Sequence, residues 1–266
     1  MGRIAVPVAG LQGDGDRLAA AAGIAVEFGA EVTALYTPPD PGELTPWMGE
    51  SFGGGVPVGL AETLDEASKA GERAARDAFD ALDYPRKRFQ VLATPVWRSV
   101  AIECRLADLV VFDDAGSRGR GAFAETFEQV LIEERSAVFV ARAPRAGATA
   151  VVAWDGSDGA SRAARRATPL LRRAGAVVIA SAPSERPCDP SQLQAYYALR
   201  GVEATVLGLE RTGADASAGL LDLARREGAD LIVAGAFGRS RLREFIFGGV
   251  TRALLHAEGP SLFLAH

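Results

Sequence analysis

The residues best suited to chemistry lie between 230 and 256. Two residues separate Gly235 from Gly238, nine separate Gly238 from Gly248, and Gly249, Val250 and Thr251 follow directly. An apolar run with buried-strand character, Asp230-Leu-Ile-Val-Ala234, leads in, and a helix-like run, Arg252-Ala-Leu-Leu-His256, leads out. A strand that stops at glycines and restarts as a helix leaves backbone N–H groups unpaired. With the positive end of the helix dipole, those groups make a place for phosphate. Glycine permits positive φ and close approach of a ligand to the backbone. Arg239, Arg241 and Arg243, between the second and third glycines, would add positive charge.

Composition narrows the classes. The chain has 266 residues, 48% apolar and 24% charged, which fits one or two soluble globular domains. Its formal net charge of −5 argues against a general nucleic-acid binder. The lysines are Lys69 and Lys87 alone, so no Gly-Lys-Ser/Thr exists and a Walker-type P-loop is excluded. Cys104 and Cys188 lack metal spacing, and a reduced, cytoplasmic chain is expected. The N-terminus reads directly as strand Arg3 to Val8, without a signal-peptide pattern, and no apolar run approaches the roughly 18 residues of a membrane span.

Elements that would position the glycines recur twice. In the first half, strands are expected at 4–8, 31–37, 89–93, 108–112 and 137–141, with helices at 18–28, 60–82, 99–106 and 123–134. In the second, strands are expected at 150–154, 176–181, 203–209, 230–234 and 261–265, with helices at 157–173, 190–200, 214–227 and 251–257. Residues repeat as well: Ala107-Asp-Leu-Val-Val111 matches Ala229-Asp-Leu-Ile-Val233. Alternation of this kind predicts an α/β fold, two tandem doubly wound parallel-sheet (Rossmann-like) domains of about five strands each. The expected domains are 1–143 and 149–266, joined by linker composition at 143–148. A Pro/Gly-rich insert at 38–58 is expected to be a surface loop or lid. The helix at 60–82 carries charges at helical salt-bridge spacing and should show a solvated face.

Over nearly its whole length the chain resembles a tandem universal stress protein. The family's signature is Gly, two residues, Gly, nine residues, Gly, then Ser or Thr; Gly235, Gly238 and Gly248 fall at those spacings. The family's first strand ends in Asp followed by Gly-Ser, here Asp155-Gly156-Ser157 after Val151-Val-Ala-Trp154. In a chain of 30 glycines neither element is specific alone, but their order and separation of about 80 residues are. The resemblance implies ATP at the carboxyl edge of the second sheet, with ADP or AMP as alternatives and Mg2+ as a companion. Trp154 and Asp155 would meet the nucleoside and Ala182 would line the adenine pocket. Gly235, Gly238, Gly248, Gly249 and Val250 would surround the phosphates, and Thr251 would offer a hydroxyl; apart from the resemblance, Arg239 would supply compensating charge there. One departure stands out: Gly249 replaces the Ser or Thr after the third glycine. The N–H is kept, and one side-chain hydrogen bond to a charged partner is lost, worth roughly 1.5–3 kcal/mol.

The first half departs further. Ala9 stands where the Asp should be, and Asp113-Asp114 follows the fourth strand without glycines in register. Two acids at a phosphate edge would repel the ligand, so this half is expected to be a scaffold.

Blander readings fit the same residues. The glycines could serve as turns alone, Ser157 as a helix cap beside Asp155, and Thr251 as a hydroxyl satisfied by backbone. His256 has no partnering acid nearby and His266 lies at the end of the sequence, so neither suggests catalysis. The leading expectation is a nucleotide-binding stress or regulatory protein, with slow ATP hydrolysis or self-phosphorylation as the chemical limit. A weak ATP hydrolase of the same fold and a ligand-free interaction module are the alternatives. Adenylate-forming motifs are missing, and neither Gly10-Leu-Gln-Gly13-Asp-Gly15 nor Asp155 to Gly159 has dinucleotide spacing. Strands 137–141 and 261–265 are short and apolar. Each needs a partner, within the chain as a pseudo-dimer or across a homodimer.

Overall fold

The computed structural model describes residues 1–39, 58–93, 96–142, 148–181, 189–210, 215–236 and 249–266. By compactness the chain divides into Met1–Val111 and Phe112–His266. The insert at 38–58 and the linker at 143–148 fall almost entirely outside the described residues.

The first unit runs β1 (Arg3–Val8), α1 (Asp14–Phe28), β2 (Glu31–Tyr36), α2 (Val58–Asp80), β3 (Lys87–Val91), α3 (Val96–Cys104) and the start of β4 (Leu109–Asp113). Its strands are parallel, in the order β3-β2-β1-β4. Ile4, Ala5, Val6 and Val8 expose nothing, as a strand covered on both faces requires. Helix α1 stops at Gly29, whose φ of 59° lets its N–H turn back to the Ala25 carbonyl. The outer face of α2 carries Lys69–Asp65 at 2.6 Å and Arg76–Glu72 at 2.9 Å, and the other face buries Ala75 and Phe79. Strand β3 begins two residues before the apolar run that marks it in the sequence. Lys87 and Arg88 stand in register with Val32 and Thr33, and the Lys87 ammonium is satisfied by the Phe79 and Leu82 carbonyls, each at 2.7 Å.

At the carboxyl edge of this sheet the chain fills its own crevice. Asp14 is 2% exposed, and its Oδ2 accepts the N–H groups of Ala9 at 3.1 Å, Gly10 at 2.7 Å and Leu11 at 3.3 Å. Oδ1 pairs with Arg17, whose Nε also reaches the Pro7 carbonyl at 3.3 Å. Gly10 adopts φ 74° and lies directly against the Gly71 backbone of α2, so no side chain fits at either residue. The Tyr36 hydroxyl donates to the Ser68 carbonyl at 2.7 Å and fixes the helix there.

The second unit continues through α4 (Asp114–Ser117), α5 (Ala124–Glu128), a π-helical turn (Gln129–Glu133) and β5 (Val138–Ala141). Then come β6 (Thr149–Trp154), α6 (Asp158–Leu171), β7 (Ala176–Ser181), α7 (Pro190–Ala198), β8 (Thr205–Gly208), α8 (Ala216–Arg226), β9 (Leu231–Gly235), α9 (Gly249–His256) and β10 (Ser261–Ala265). The order is β5-β10-β9-β6-β7-β8. All pairs are parallel except β5–β10, where Leu262 faces Val140 and Leu264 faces Val138. Residues 112–142 therefore pack with the second sequence copy, and Phe112 meets Phe127 edge-to-face with centroids 5.4 Å apart.

Asp113 and Asp114 are not the bare charges expected from the sequence. Asp113 caps α4 by accepting the Gly116 N–H at 2.7 Å, and Asp114 pairs with Arg118 at 2.6 Å and Arg142 at 2.7 Å. What closes the first sheet's edge is Asp14 and α2 instead.

The Ala-Asp-Leu repeat has a physical cause. Asp108 Oδ2 takes the N–H groups of Gly2 at 2.5 Å and Arg3 at 3.1 Å. Asp230 takes those of Ala148 at 3.0 Å and Thr149 at 3.3 Å. In each copy the acid in front of the fourth strand fastens the start of the first. No described helix is long and apolar enough to cross a membrane.

Candidate functional site

Within the second unit, β6 has β7 on one side and β9 on the other, so the chain leaves the sheet in opposite directions from these neighbours. Such a switch point opens a crevice at the carboxyl ends of the strands. A cavity of about 350 Å3 occupies it. Trp154 and Asp155 line it from the end of β6, and Gly235 and Ala236 from the end of β9. Gly159 and Ala160 at the start of α6, and Gly249, Val250 and Thr251 at the start of α9, complete the polar side. Ala153, Ala180, Leu209, Ala216 and Leu220 supply an apolar wall.

Two helix N-termini thus face one cavity. At α6 the cap is built from Asp155 to Ser157. Gly156 turns through φ 69°, Asp155 Oδ1 accepts the Ser157 N–H at 2.9 Å, and Ser157 Oγ accepts the Ala160 N–H at 3.2 Å. Asp155 is exposed, and its second oxygen has no protein donor among the described residues. At α9 the first N–H groups have no partner within the helix. A Cβ on Gly249 would meet no atom of the described residues within 4 Å. Gly235 is the opposite case. A Cβ there would lie 2.5 Å from both the Ala160 nitrogen and the Gly159 carbonyl carbon, so the strand end and the helix start touch backbone to backbone.

Of the residues singled out from the sequence, the fold brings Trp154, Asp155, Gly235, Gly249, Val250 and Thr251 together. Ala182, Gly238, Arg239 and Gly248 lie outside the described residues. Thr251 is 4% exposed, and its hydroxyl donates to the Gly235 carbonyl at 3.4 Å, tying helix start to strand end. The Trp154 Nε1–H is buried without an acceptor among the described residues. Ser157, Gly159, Ala160 and the apolar wall were not singled out as contacts from the sequence. Leu209 follows β8, Ala216 and Leu220 belong to α8, and only the tertiary fold brings them here. His266 sits beside the cavity wall, Nδ1 3.0 Å from the Ala236 carbonyl oxygen.

The model of the universal stress protein family matches residues 148–260. The chain carries a universal stress protein domain. That match takes in β6 to α9, the elements around the cavity. Solved structures agree in fold over a longer span. A universal stress protein from Archaeoglobus fulgidus DSM 4304 is similar with a TM-score of 0.68 and 15% identity, over 99% of this chain and 95% of that one. A functionally unknown protein from Pseudomonas aeruginosa PAO1 is similar with a TM-score of 0.54 and 15% identity, over 99% of this chain and 92% of that one. At such identity the likeness is one of fold, the α/β universal stress protein architecture. No curated protein matches the chain in sequence.

Proposed function

We propose that the universal stress protein domain binds an adenine nucleotide, ATP foremost, as a regulatory ligand. The observation that carries this reading is the convergence of two helix N-termini and the open oxygen of Asp155 on one switch-point cavity. Its volume lies within the roughly 300–1,000 Å3 of small-molecule sites. The apolar wall suits a purine, Asp155 suits ribose hydroxyls, and the N–H groups of Gly249 to Thr251 suit phosphate. Gly238 and Gly248 would surround the phosphates, and Ala182 the adenine, as the family resemblance implies, and the charge of Arg239 would compensate for the hydroxyl missing at Gly249. Among the described residues no group of three His, Cys, Asp or Glu is placed to hold a metal. Mg2+ would therefore be carried mainly by the phosphates. Asp155 is the one carboxylate among the described lining residues, which favours binding over turnover.

Freshly purified protein, denatured and examined by mass spectrometry, tests the proposal. About one ATP or ADP per chain is expected from wild type, and none from Gly248→Val. Two per chain would defeat the assignment of the ligand to the second domain alone. No release, followed by no heat of ATP binding in calorimetry, would defeat the nucleotide reading in favour of a ligand-free interaction module. The engaged Thr251 hydroxyl and the missing hydroxyl at Gly249 are what favour that second reading.

Gly249→Ser sharpens the test. Its Cβ meets none of the described residues, and its hydroxyl restores one charge-assisted bond, so ATP should bind about tenfold more tightly. Adenosine, without phosphates, should bind unchanged in the same titration.

A further inference from the structure

Helix α9 is held at both ends, and the second hold comes from the first sequence copy. Its first turn lines the cavity at Gly249, Val250 and Thr251. Its last turn ends in carbonyls that the helix itself cannot satisfy. Arg142, just after β5, reaches them. Its side chain is 5% exposed. Nη2 donates to the Leu255 carbonyl at 2.8 Å, Nη1 lies 3.5 Å from the Pro260 carbonyl, and the backbone N–H donates to Ser261 Oγ at 3.1 Å. Nε donates to Asp114 Oδ1 at 2.7 Å. Asp114 Oδ2 in turn holds Arg118, whose Nη2 reaches the Ala257 carbonyl at 3.2 Å.

A guanidinium at a helix C-terminus complements the dipole, and its flat fork can serve several carbonyls at once. Burial pushes the Arg142 guanidinium below its ordinary pKa, and Asp114 offsets part of that. The helix between the clamp and the cavity is only eight residues long, about 12 Å at the usual rise. Two turns are too short to absorb a displaced end by gentle bending, so an error at Leu255 is carried to Gly249.

We infer that Arg142, braced by Asp114 and Arg118, is a positioning residue that sets the phosphate-facing start of α9 from its far end. The inference rests on the nucleotide reading above. It gives residues 113–142 of the first copy a part in ligand binding without touching the ligand.

The test compares wild type with Arg142→Gln and Arg142→Lys, and with Asp114→Asn as a milder variant that keeps an acceptor. Binding of ATP and of adenosine is measured by calorimetry, and amide hydrogen exchange is followed across 249–256 and across β6 and β7. Arg142→Gln should speed exchange in 249–256 while β6 and β7 stay protected. It should weaken ATP about fivefold with adenosine unchanged, a loss of the size expected for a partly buried cation at a helix end. Arg142→Lys should recover part of that loss, and Asp114→Asn should show a smaller one. General destabilisation would instead lower both ligands together. Unchanged exchange in 249–256, or an unchanged ratio of ATP to adenosine affinity in a wild type that binds ATP, overturns the inference. A wild type that binds no ATP fails at the nucleotide reading itself and overturns the positioning role with it. The exchange data would then show separately whether the clamp exists.

Discussion

Asp14→Ala should lower the unfolding free energy by about 3–5 kcal/mol, the usual cost of stripping one partner from a buried ion pair. The carboxylate and Arg17 are each 2% exposed, so the guanidinium left behind has little water to turn to. Three backbone N–H groups, of Ala9, Gly10 and Leu11, lose their acceptor in the same step. Urea unfolding followed by circular dichroism would show the loss. A change under about 1 kcal/mol would mean that water replaces the carboxylate freely and that the burial argument is wrong. The variant should not gain a nucleotide site. Gly10 and Gly71 still press backbone to backbone across the same edge, so the ligand count should stay at its wild-type value.

Gly235→Ala should weaken ATP on the order of a hundredfold, equal to about two charge-assisted hydrogen bonds. One methyl group is enough because it would meet main chain. The Ala160 nitrogen and the Gly159 carbonyl carbon lie 2.5 Å from where it would stand, and neither belongs to a side chain that could turn aside. The start of α6 must then retreat from the end of β9, taking the Asp155–Ser157 cap with it. Stability should fall by about 1–3 kcal/mol, as for other overpacked positions. Gly249→Ala is the control: its Cβ meets none of the described residues, and ATP affinity should stay within about twofold of wild type. Equal affinity for Gly235→Ala and wild type would show that the two walls move independently of the ligand.

The fold class was legible because parallel strands, covered on both faces, leave continuous apolar runs, as in Ala150 to Val152 and Leu231 to Ala234. The site was legible in part for a related reason. Gly235 and Asp155 stand where strands end, and a strand end marks the sheet edge without knowledge of the rest. Asp14 was not legible, since an acid near a helix start reads the same whether it faces water or three inward-pointing N–H groups. The short helix α4 was hidden likewise, because its Asp113 cap and its Arg142 partner lie on opposite sides of 28 residues of chain. The repeat read from residues breaks at 143–148, whereas the compact units break at Val111/Phe112. Sequence similarity follows ancestry of segments; compactness follows the β5–β10 ladder, which similarity does not contain.

That ladder also orders events during synthesis. Val138 to Val140 leave the ribosome more than a hundred residues before Leu262 to Leu264, their antiparallel neighbours. At roughly 5–20 residues per second the interval is on the order of 10 s, long beside the microseconds a hairpin needs. Throughout it, a strand of Val, Phe and Val has no β10 to receive it, and the same edge is open to β5 of another nascent chain. The five residues of β10 are thus the ones that release the middle of the chain from that exposure.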